Sequence, residues 1–143
     1  MSAHRSISKW KARHAILVVI GILLNFAFVI PLLFWPEWIL GLFQIPVTQL
    51  IWPRFSGLLL GILSIFYIPA TIDIDRYRIF AWLAVFPARS LGAVFFFIAV
   101  FVFGQPSGFL VGVVLDGSIG FLTLVCLIRV VRLEQDAANG RGT

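Results

Sequence analysis

Four stretches of the chain, 15–34, 54–72, 79–103 and 109–128, are nearly unbroken runs of apolar residues. Runs of about 20 such residues are long enough to cross the ~30 Å hydrocarbon core of a bilayer as helices. They lack the alternation of barrel strands, and in lipid only helices and closed barrels satisfy their own backbone. The pattern predicts an all-α fold, an integral membrane antiparallel four-helix bundle. Residues 1–14 are expected to form a basic cytoplasmic N-terminus, 15–132 the bundle and 133–143 a flexible cytoplasmic tail. The first run follows basic residues as in a signal peptide. It is too long for one and lacks a small-residue cleavage site, which predicts a retained span.

The interruptions between the runs predict orientation. Arg5, Lys9, Lys11 and Arg13 precede the first span, Arg76 and Arg78 lie between the second and third, and Arg129, Arg132 and Arg141 follow the fourth. An up-and-down path puts these on one side, and the positive-inside rule makes that side, with both termini, cytoplasmic. The connection 104–108 on the other side is uncharged. The first outer connection, 35–53, holds Glu37 as its single charge and is rich in Trp, Leu, Ile and Pro. Residues 37–43 predict a short interfacial helix, with Pro36 tolerated at its first turn and Pro46 as a break. Trp35, Trp38 and Trp52 suit the headgroup layer. The segment reads either as an interfacial anchor or as a lid over an outward-facing pocket. The turn 73–78 alternates charges and reads either as a phosphate site or as a solvated helix-capping turn, in which Asp73 or Asp75 is expected to cap the third span.

Composition sharpens this. The chain is 61% hydrophobic, 12% charged and has a mean hydropathy of +1.05, against about 25% charged residues in a soluble domain. A net charge of +5 could suit nucleic acid, but the basic residues sit at the ends of apolar runs and form no continuous basic face, so no nucleic-acid partner is expected. Cys126 is the only cysteine, which excludes an intrachain disulfide, a redox pair and a thiolate cluster; it reads as a small buried hydrophobe. His4 and His14 do not reach mid-membrane, so bis-histidine haem ligation inside the bundle is excluded. No Ser–His–Asp set and no acidic cluster for paired metals is present, and no cofactor is implied.

Against this apolar background Arg89 and Asp116 stand out, each near the middle of a run. A charge at that depth costs roughly 2.5–3.5 kcal/mol on insertion scales. Asn25 and Ser64 lie near the middle of the first two runs, so each span carries one polar side chain at a common depth. Small residues share their faces: Gly21 precedes Asn25 by one turn, Gly57 and Gly61 lead to Ser64 and Tyr67, Gly92 follows Arg89, and Gly112 and Gly120 flank Asp116. Arg54 begins the Gly57 face, and it either snorkels to outer headgroups or joins the polar centre. Pro87 should kink the third helix beside Arg89. From the run ends, Arg89 lies ~21 Å and Asp116 ~10–11 Å below the outer surface, a gap of ~10 Å that a long arginine side chain partly closes.

Two readings of this centre follow. In one, Arg89 and Asp116 form a structural salt bridge, with Asn25 and Ser64 satisfying leftover donors. In the other, Arg89, Asp116, Asn25, Ser64, Arg54 and Tyr67 bind the polar group of a lipid-like or quinone-like amphiphile at mid-membrane. A single Arg–Asp pair supplies too few catalytic groups for an enzyme without a cofactor. A third reading makes the chain an accessory subunit or homo-oligomer. Its fifteen phenylalanines, three of them consecutive at Phe95, Phe96 and Phe97, suit a partner helix as well as lipid.

The four spans, Pro36, Arg54 with Gly57 and Gly61, Tyr67, the Asp-x-x-Arg-Tyr-Arg turn from Asp73 to Arg78, and Arg89 with Gly92 resemble small bacterial four-helix membrane proteins of the DoxX-like or BphX-like kind. The resemblance covers roughly residues 36–128. It implies a bacterial cytoplasmic membrane protein and, by analogy with relatives of redox association, dependence on partner subunits.

Overall fold

The computed structural model describes residues 2–140, with side chains from residue 5 onward. Arg141 and the end of the tail lie outside the described residues. The helices are α1 (Ser2–Phe34), α2 (Pro36–Leu42), α3 (Ile51–Ile72), α4 (Arg78–Leu83), α5 (Ser90–Phe101) and α6 (Leu110–Asn139). A π-helical turn, Ala84–Arg89, joins α4 to α5, and a 3-10 turn, Ser107–Phe109, leads into α6. Four helical stretches, Arg5–Phe34, Ile51–Ile72, Arg78–Phe101 and Ser107–Asn139, are long and apolar enough to cross a membrane. Their outward faces carry large hydrophobes such as Leu23, Phe66, Phe97 and Phe121, each half exposed or more. So much contiguous apolar surface requires lipid or protein cover.

Helix α1 is the hub. It packs along α3 on one flank and α6 on another, while α5 packs on α6; α3 meets the third span mainly through α4. The α1–α3 seam is tight because Gly57 and Gly61 face Val29 and Leu32 with no side chain between them. Below it, buried Tyr67 packs with Val18 and Ala84. At the basic end, Ala70, Ile74, Ala81 and Leu127 form a second small core.

The third span breaks where Pro87 predicts. Phe86 leaves helical geometry (φ −127°, ψ 113°) and the Phe86–Pro87 peptide is cis. Proline cannot donate to the ladder, and the Ser90 hydroxyl caps a carbonyl there instead, donating to Val85 O at 2.7 Å. The expected short helix after Trp35 is also present, with Pro36 at its start and Pro36 and Ile39 buried.

Three features differ from expectation. Helices α1 and α6 run well beyond the apolar stretches, since a helix does not stop where lipid-compatible residues do. Helix α4 starts at Arg78 without a side-chain cap; the Asp73 carboxylate instead accepts from the backbone N–H groups of Asp75 and Arg76, closing the preceding turn. The charges of this turn are paired rather than merely solvated. Lys11 Nζ bonds Asp75 at 2.7 Å and Glu134 at 2.9 Å, and Arg78 bonds Asp75 at 3.0 Å and Glu134 at 2.7 Å. This closed ring of two cations and two anions ties α1, the turn, α4 and α6 together, and it holds Glu134 where a fraying tail was expected.

Its pH response follows from Asp75. The Lys11 ammonium hydrogen-bonded to it holds the Asp75 carboxyl below the usual carboxylate range. The folded state thus binds the proton more weakly than the unfolded one. The contribution is present at neutral pH and fades as pH falls below about 4. Asp75 is more than half exposed, which limits the effect to at most about 1 kcal/mol. Thermal denaturation in detergent at neutral and acid pH should show a small acid loss that Asp75→Asn abolishes. An unchanged acid loss in that variant would assign it to other groups.

Candidate functional site

The polar side chains at mid-helix meet in two pairs. Asn25 Nδ2 donates to Ser64 Oγ at 2.9 Å, joining α1 to α3, and the fully buried Ser64 hydroxyl donates in turn to Leu60 O at 2.8 Å. Arg89 Nη1 donates to Asp116 Oδ1 at 2.9 Å, joining the third span to α6. Arg89 is 8% exposed and Asp116 26%.

Glycines make room for the charged pair. The Arg89 guanidinium lies against Gly21 of α1, and its Cβ sits 3.1 Å from where a Cβ on Gly120 would stand. Asp116 Oδ2 lies 2.8 Å from the corresponding point on Gly92. Three helices thus approach one ion pair through residues without side chains. The expected depth mismatch is closed at both ends. The third span ends at Phe101 and the fourth begins at Ser107, which brings the two Cα levels to within ~5 Å by helical rise.

Above this pair lies a cavity of about 820 Å³. Its walls come from α1, α3, α5 and α6, and residues of the segment 43–49 roof it. The lining is mostly apolar, including Phe28, Leu60, Phe96 and Leu115; Asn25, Arg89 and Asp116 are its polar floor. Thr48, Gln49 and Ser56 add polar groups at the roofed end. Aromatic stacking braces this end, with Phe28 on Phe43 and Phe96 on Phe109 at ring-centroid distances of 5.9 Å. Gly108 meets the Phe43 backbone so closely that no side chain fits between them.

No family model, curated protein or solved structure matches this chain.

The sequence-predicted residues distribute as follows. Asn25, Arg89 and Asp116 line the cavity. Ser64 lies behind Asn25 and positions it. Tyr67 is buried within electrostatic reach of Arg89 and Asp116 but packs in the apolar cluster with Val18 and Ala84. Arg54 is exposed and does not line the cavity. The sequence offered segment 35–53 as an anchor or as a lid over a pocket without naming lining residues; residues 45–49 line the cavity, and Leu60 and Leu63 of its wall were not singled out. An apolar residue facing a void and one facing lipid look alike in sequence.

Chemically, the floor combines donors and acceptors. The bond to Asp116 is the Arg89 side chain's one hydrogen bond among the described residues, which leaves its remaining N–H groups available. Asp116 Oδ2 and Asn25 Oδ1 have no hydrogen-bond donor among the described residues. Nothing in this set resembles a nucleophile with an adjacent base, and no group of His, Cys, Asp and Glu among the described residues could hold a metal ion.

Proposed function

We propose that the chain is an antiparallel four-span membrane protein with both termini cytoplasmic, which binds a lipid-like or quinone-like amphiphile. The apolar body fills the cavity and the polar group reaches Arg89, Asp116 and Asn25 at mid-membrane. One observation carries this reading: a cavity of about 820 Å³ with apolar walls ends on a buried arginine that spends a single hydrogen bond on protein. Pockets of roughly 300–1,000 Å³ with a few convergent polar groups are the usual form of small-molecule sites. An ion pair kept only for packing gains nothing from a void beside it. The orientation rests on the basic residues, which gather at the Lys11–Glu134 end. We also set the chain beside the DoxX-like and BphX-like proteins, on its residue pattern.

The test is extraction in mild detergent followed by mass spectrometry of what co-purifies. A bound amphiphile is expected in wild type. It should be lost in Leu60→Trp, which places an indole in the cavity, while circular dichroism shows the helices intact. Equal retention by both proteins would place the bound molecule elsewhere. A stoichiometric protein partner with no amphiphile would favour the accessory-subunit reading instead.

A further inference from the structure

The floor of the cavity is not a bare cation. Arg89 and Asp116 are in hydrogen-bonded contact at 2.9 Å, so the floor carries no net charge. It presents N–H donors from Arg89 and open acceptors at Asp116 Oδ2 and Asn25 Oδ1, while one of the two Asn25 amide N–H groups is committed to Ser64. A phosphate or carboxylate head would gain Arg89 but meet the Asp116 carboxylate on the same guanidinium. It would also bring an uncompensated charge to mid-membrane depth, where charge is most costly. A head with acceptors only would leave the Asp116 and Asn25 oxygens unmatched, and unmatched buried polar groups are penalised. A hydroxyl does both jobs at once: its oxygen accepts from Arg89 while its proton goes to Asp116 Oδ2 or Asn25 Oδ1.

The walls agree with this polarity. Leu59 and Leu63 of α3 and Phe95 of α5 line the cavity and are 44%, 43% and 62% exposed. They lie on the two helices that pack on α1 and α6 rather than closely on each other. The gap between α3 and α5 therefore faces hydrocarbon, and an alkyl chain can run through it from the surrounding lipid.

Resting on the amphiphile-binding reading above, we propose that the site selects long-chain amphiphiles with an uncharged, hydroxyl-bearing head, taken up sideways from the bilayer between α3 and α5. The experiment uses the full chain in phosphatidylcholine nanodiscs loaded with hexadecan-1-ol, hexadecane or hexadecyl phosphate at equal mole fraction. Native mass spectrometry of the released protein reads the adduct. One alcohol per chain is expected, favoured at least about tenfold over alkane and phosphate alike. Asp116→Asn keeps an acceptor oxygen and removes the opposing charge, so it should reverse the order of alcohol and phosphate. The wild-type series stands even if that variant folds poorly. Phosphate retained as well as or better than alcohol by wild type would overturn the hydroxyl selectivity while leaving the cavity a binding site. Equal retention of all three, hexadecane included, would remove Arg89 and Asp116 from recognition. Retention of none would overturn the selectivity together with the amphiphile-binding reading beneath it.

Discussion

Asp116→Leu is expected to destabilise the protein by about 3–5 kcal/mol, the cost of stranding a buried charge. Asp116 is the one hydrogen-bond acceptor of Arg89 among the described residues, and the side chain is held in place between the backbones at Gly21 and Gly120. The effect should be read as reversible unfolding in mixed micelles of increasing dodecyl sulfate content. Arg89→Leu combined with Asp116→Leu should recover most of the loss, since replacing both charges by apolar groups is often neutral. A double variant as unstable as the single one would mean that the cost came from packing rather than from an unpaired charge. The recovered double variant is also informative about function. If it folds but retains no amphiphile, the ion pair is the recognition element and not only a brace.

Gly57→Leu is the second large effect. A Cβ at residue 57 would stand 2.9 Å from Leu32 Cβ and 3.4 Å from the Val29 carbonyl oxygen. Neither atom is the far end of a flexible side chain, so α1 and α3 must separate. Overpacking of this kind costs typically about 1–3 kcal/mol, and here the strain also acts on a hydrogen bond two turns away. Separation should break the 2.9 Å Asn25–Ser64 contact. Pairing with Ser64→Ala therefore tests the coupling: the two changes should cost less together than the sum of each alone. Full additivity would show that α1 and α3 move apart only locally.

The outline of the four spans was legible because composition leaves no other way to house the chain. The polar centre was legible for a related reason: in an apolar run every polar residue is conspicuous. Pro87 announced its break by its chemistry. The pairings themselves were less legible. Asn25 meets Ser64 and Arg89 meets Asp116, but depth counted from run ends left the charged pair ~10 Å apart, because span ends are the least readable part of a hydrophobic pattern. Arg54 shares a helical face with Gly57 and Gly61, yet it sits in the first turn of α3, beyond the cover of α1. Helical periodicity gives the face of a residue and not the depth to which that face is covered. The Lys11–Asp75–Arg78–Glu134 ring was invisible, since its members are drawn from positions 11 to 134 of the chain and charges of this kind belong to any polar loop.

The order of the pairings has a consequence for synthesis. Asn25 finds its partner on the next long helix to emerge, and so does Arg89, whose carboxylate follows 27 residues later. Neither hairpin needs the other in order to neutralise its own polar side chains. As the chain leaves the ribosome, each pair of spans can pass into lipid with its costly groups already matched. The α1–α6 contact and the ring through Glu134 wait for the fourth span, which fastens the two self-sufficient halves together.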